Sequence, residues 1–72
     1  MNYFVVSVVQ SNDYQTDGNI VFVESSFSLA QIQADFLVSM GESVVVTEAN
    51  GKGVVNKWVF RKGKPSEMME VY

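Results

Sequence analysis

Seventy-two residues, 47% of them hydrophobic and 12% aromatic, with a net charge of −3, suit one globular domain; they are too few for a second core and too apolar for a disordered tail. The chain has no Cys and no His, which excludes disulfides, thiolate metal sites and the commonest general base. A domain this small buries only about 60% of the surface of its unfolded chain, so a partner subunit is the remaining usual source of stability.

The charge is segregated. Residues 1–51 carry six acidic side chains (Asp13, Asp17, Glu24, Asp35, Glu42 and Glu48) and no basic one. All five basic residues, Lys52, Lys57, Arg61, Lys62 and Lys64, follow within thirteen positions, before Glu67 and Glu70. This builds a dipolar molecule with a basic stripe on one element. No apolar run is long enough to span a bilayer, and the N-terminus lacks a basic segment leading into an apolar stretch. A cytoplasmic protein without a membrane partner is expected.

Residues 2–10 are β-branched and aromatic and predict a strand. Phe4, Val6 and Val8 occupy one face and Tyr3, Val5 and Val9 the other, the pattern of a central strand covered on both sides. Asp17-Gly18-Asn19 signals a turn, and Ile20–Val23 a second strand, so residues 1–24 form a hairpin with a long or bulged loop. A helix is expected over 28–40. Ser28 is positioned to cap it, Gln31 to complete a capping box, and Phe27 with Ile32 to form a hydrophobic staple. At 100° per residue Leu29, Ile32, Phe36 and Met40 share one face, flanked by Ala30 and Leu37, and are the expected core side. Gly41 supplies the stop.

The other side of the helix, Gln31, Ala34, Asp35, Val38 and Ser39, holds a single charge. This suits a short helix in a low-charge protein in the first place, and otherwise a face that contacts a partner, since interface centres are depleted of charge. Residues 43–62 predict a second hairpin, turning at Asn50-Gly51. That register sets Val46 opposite Val55 and Val44 opposite Lys57. Trp58 and Phe60 then share one face, and Lys57, Val59 and Arg61 the other. The tail, 63–72, contains Met68, Met69, Val71 and Tyr72, apolar enough to form a short helix, an edge strand or a segment ordered by a partner.

Three patterns bear on chemistry. Asp13, Gln15, Asp17, Gly18 and Glu24 match the ligand spacing of an EF-hand calcium loop over 13–24, but a strand precedes the loop where that motif needs a helix. Lys57, Arg61, Lys62 and Lys64 could contact phosphates, with Trp58 or Phe60 stacking on bases, although an acidic chain opposes non-specific nucleic-acid binding. Catalysis has no His or Cys to activate a nucleophile, so neither a catalytic residue nor a cofactor is expected.

Tyr3 and Val8-Val9-Gln10, the step Ser28-Leu29-Ala30-Gln31, the Val-rich strand, the Asn50-Gly51 turn and the Trp-bearing strand before Gly63-Lys64 together resemble small phage-encoded inhibitors of the type I-F anti-CRISPR kind. That resemblance implies a compact module that occupies a surface on a larger host complex. The inhibitor in question is a basic surface binder whereas this chain is acidic, so no binding residue carries over. In a phosphate-mimicking variant of the idea, the acidic side chains imitate nucleic acid.

The expectation is an α+β domain, ββαββ, with a four-stranded antiparallel sheet and one helix on one face. Its second sheet face needs cover from the tail or another subunit. The leading functional expectation is a non-enzymatic, homodimeric interaction module using Gln31, Asp35, Val38, Met68, Met69 and Tyr72. Nucleic-acid binding through Lys57, Arg61, Lys62 and Lys64 is the alternative, and calcium at Asp13, Asp17 and Glu24 the third reading.

Overall fold

β-Branched side chains dominate Tyr3–Val9, and in the computed structural model, which describes residues 1–10 and 18–69, this segment is strand β1. β2 (Asn19–Glu24), α1 (Phe27–Ser39), β3 (Ser43–Asn50), β4 (Gly53–Phe60) and β5 (Glu67–Met69) follow. The strands make one antiparallel sheet in the order β2-β1-β3-β4-β5. The α+β class and the single helix on one face are as expected. The sheet has five strands rather than four, because Glu67–Met69 pairs with Lys57–Val59 and extends the sheet in its own plane. This part of the tail therefore adds an edge and does not cover a face.

The helix-facing layer is built from Phe4, Val6 and Val8 of β1, Phe22 of β2, Val44 and Val46 of β3, and Trp58 and Phe60 of β4. Against it the helix sets Ala30, Ala34 and Leu37, with Phe27 and Val38 at the margins. The expected core face of the helix is thus corrected. Leu29, Ile32, Phe36 and Met40 point to solvent, while Ala34 and Val38, placed outside from the sequence, turn inward. The physical reason is volume. Four aromatic rings on the sheet fill the interlayer space, and alanines let the helix backbone lie close above them.

The helix cap shifts with that rotation. Ser26, not Ser28, is the N-cap, its Oγ accepting from the Leu29 amide at 3.3 Å. Phe27 becomes the first helical residue rather than the outer half of a staple, and its ring reaches the sheet. The end is as expected, with Gly41 at φ +93° and its amide donating to the Val38 carbonyl at 2.9 Å.

The second hairpin turns one residue later than its sequence signal. Asn50 pairs with Gly53, so Gly51-Lys52 form the loop. The Asn50 Oδ1 accepts from the Lys52 amide at 2.8 Å, the local bond that Asn brings to turns. A bulge beside Glu48 and Ala49 then displaces the ladder further. Val46 faces Trp58 and Val44 faces Phe60, correcting the expected partners Val55 and Lys57. Within β4 the faces are as expected, Trp58 and Phe60 toward the helix and Lys57 and Val59, opposite Thr47 and Val45, away from it. Arg61, expected beside Lys57 and Val59, follows the end of the strand and borders the helix-side groove instead.

Candidate interaction surface

The helix rotation leaves an apolar stripe on the outside. Leu29 is 46% exposed, Ile32 63%, Phe36 57% and Met40 64%. A single exposed leucine would mean nothing, since much of any protein surface is apolar. Four large neighbours in a row are different. They present on the order of 500 Å², within the 300–600 Å² of the largest patch on a typical monomer, which is often functional. Their spacing alone predicts a core face. The pair Ala30 and Ala34, four residues apart, was the signal that a second and narrower face could pack instead.

The sides of the helix differ. Gln31, Asp35 and Val38 border a groove of about 500 Å³ whose other wall is Phe60, Arg61, Lys64 and Pro65. The stripe lies on the opposite flank, the side on which Gln33 Nε2 donates to Glu24 Oε2 of β2 at 3.3 Å. It therefore leans toward the β2 edge of the sheet. β2 itself exposes Ile20 (65%), Val21 (43%) and Val23 (61%).

The sheet face away from the helix is mixed. Ser7, Val9, Val45 and Val59 are buried, Val5 is half-buried, and Tyr3 and Val54 are exposed. Among the described elements none packs across this face. A shallow apolar depression of about 290 Å³ lies there, bordered by Tyr3, Val5, Ile20, Ala49 and Val54.

The residues expected to bind a partner fall into two places. Gln31 and Asp35 are exposed and Val38 half-buried on the helix. Met68 is exposed on β5 opposite Trp58, and Met69 pairs with Lys57. Tyr72 lies outside the described residues.

The basic residues are likewise divided. Lys57 is half-buried on the far face, while Arg61 and Lys64 border the groove facing Asp35. Lys62 is exposed in the turn after β4. Arg61 Nη2 approaches Glu67 Oε2 at 3.6 Å, a surface pair worth at most about 1 kcal/mol. Phe60 is buried and Trp58 packs against Phe4 and Phe27, so neither ring presents a free face for base stacking.

Of the calcium-spaced residues, Asp13 and Asp17 lie outside the described residues. Glu24 sits in β2, paired with Phe4, its carboxylate engaged by Gln33. The half of the pattern from Asn19 to Glu24 is thus extended strand.

Among the described residues the one perturbed carboxylate is elsewhere. Glu48 accepts from Asn56 Nδ2 at 3.0 Å and from Asn2 Nδ2 at 2.7 Å, and these bonds hold its pKa below the usual carboxylate value. No helix among the described residues is long and apolar enough to cross a membrane. Neither family models, nor curated proteins, nor solved structures match the chain.

Proposed function

We propose that this chain is a non-enzymatic protein–protein interaction module that docks through the exposed face of its helix. The observation that carries the reading is the run Leu29, Ile32, Phe36 and Met40, held in solvent by a helix whose opposite face is already satisfied by the sheet. The only charge on that helix, Asp35, lies on the other flank beside the groove. A charge-depleted patch containing aromatic and methionine side chains has the composition of an interface centre. An inhibitor that masks a surface of a larger complex is the form of this reading that the inhibitor resemblance implies.

Affinity capture from the source cell, with wild-type chain and with the Ile32→Glu/Phe36→Glu double variant as baits, tests it. The wild type is expected to retain a protein, whether foreign or an untagged copy of itself, that the double variant loses. Recovery of the same proteins by both baits, or of none by either, overturns the reading.

A further inference from the structure

We infer that the occupant of the helix stripe is a second copy of this chain, joined by antiparallel pairing of the two β2 edges into a continuous ten-stranded sheet. The inference rests on the docking role proposed for the stripe and adds the partner and the geometry.

The first observation is the edge. Among the described residues no strand pairs with the outer side of β2, and Asn19–Glu24 contains no Lys, Arg or Pro. Sheet edges are ordinarily protected by such residues, by bulges or by brevity, and of these β2 has only the bulge at Val21. The opposite edge is guarded by its approach: β5 follows Lys62, Lys64 and Pro65.

The second observation is the bulge. Val6 pairs with Phe22 and Ser7 with Ile20, leaving Val21 as the extra residue. Ile20 and Val23 stand three apart and would otherwise occupy opposite faces, yet they share the face opposite the helix, across from Ser7 and Val5. Pairing two β2 strands about a two-fold axis between Val21 and Phe22 sets each Ile20 opposite the other copy's Val23. It also sets each Glu24 opposite Asn19, so no like charges meet. A two-fold axis perpendicular to the sheet keeps both helices on one side.

The third observation is direction. The stripe leans toward β2, the flank marked by the Gln33–Glu24 bond, so the same axis brings the two stripes together. The helix lies over the space between β1 and β3, so the two helices stand roughly 19 Å apart, four strand spacings of ~4.8 Å. Leu29, Ile32, Phe36 and Met40 are the long side chains that reach into that space from both copies. Ile20 and Val23 meet their counterparts only flank to flank on the far face. The stripe, on the order of 500 Å², therefore supplies most of the covered area, where a standard interface removes about 800 Å² per partner. The helix stripe alone is smaller, so edge and stripe act together.

Light scattering on the eluting protein, with wild type, Val21→Lys, Ile32→Glu and Met68→Glu at micromolar concentration, tests the pairing. The wild type and Met68→Glu are expected at twice the chain mass of 8.0 kDa, and Val21→Lys and Ile32→Glu at the chain mass. The fluorescence of Trp58 verifies that each variant is folded. Hydrogen exchange on the wild type needs no variant, and the amides of residues 19–24 should gain protection as concentration rises.

A wild-type monomer overturns the inference, as does a dimer unaffected by both substitutions or concentration-independent exchange in β2. A monomer that still retains a foreign protein through the stripe in the capture experiment also overturns self-pairing, while the docking role stands. Loss of stripe-dependent capture of any protein, this chain included, fells the docking role itself.

Discussion

The ring of Phe27 lies 4.6 Å from the ring of Trp58, centroid to centroid, and so ties the first residue of the helix to the fourth strand. Phe4 of β1 closes the group at 6.0 Å from Phe27 and 6.3 Å from Trp58. Three elements distant in sequence meet there, at the end of the core where the helix begins. Aromatic pairs at such separations add roughly 1 kcal/mol beyond the area they bury. A double-mutant cycle over Phe27→Ala and Trp58→Leu is therefore expected to show coupling of about 1 kcal/mol by denaturant unfolding. Additive single effects would mean that the rings are neighbours without mutual stabilisation. Because Trp58 is the one tryptophan, circular dichroism is the appropriate signal for this series.

The helix faces differ in what they tolerate. Ala34 is fully buried beneath the helix, so Ala34→Leu must push the helix off the sheet and is expected to cost about 1–3 kcal/mol. Leu29→Gln alters an exposed side chain and should change the stability of the isolated monomer by less than about 0.5 kcal/mol. Thermal melts at a concentration low enough to suppress self-association make the comparison. The reverse ranking would restore Leu29, Ile32, Phe36 and Met40 to the core and remove the apolar stripe.

The helix is also where sequence and structure part most instructively. Periodicity locates it to within a residue at each end, and the two alternating faces of β1 are legible because period 2 has only two choices. A helix bearing apolar residues on more than one face offers several rotations. Spacing selects the face with the largest side chains, but packing is decided by the opposing layer. Phe4, Phe22, Trp58 and Phe60 come from three strands, and their joint bulk is visible only once the sheet is assembled. The same limit hid the interaction surface, since its residues read as core. The last edge strand was one of three options for the tail, because three residues are too few to show a period. In the second hairpin, Asn50-Gly51 marked the turn, while the bulge beyond it depended on how β4 meets the helix.

That turn supplies a third prediction. Gly53 holds φ at +127°, where an L-residue is strained, whereas Gly51 has no positive φ and open space around it. Gly53→Ala is expected to destabilise by about 1 kcal/mol or more, and Gly51→Ala to be neutral or slightly stabilising by restricting the unfolded chain. Chemical denaturation midpoints distinguish them. Equal losses at both positions would place the loop at Asn50-Gly51, with the register shifted accordingly.

Glu48 joins three strands through two side-chain amides, Asn56 of β4 and Asn2 ahead of β1, beside the bulge of the second hairpin. Both amides donate to the ionised form, with Asn56 the larger influence, and partial desolvation opposes them. The folded pKa therefore lies below the ordinary value of 4.5, which the unfolded chain retains. Between those two values the unfolded state binds more protons than the folded state, so stability falls with falling pH. The contribution is full above 4.5 and is lost as pH drops through the lower folded value. Glu48→Gln removes this titration, so the melting-temperature gap between wild type and variant should narrow on acidification through the carboxylate range and stay constant above it. A gap that does not change with pH would show that the two amides fail to favour the charged carboxylate, and that the clamp across β1, β3 and β4 owes nothing to ionisation.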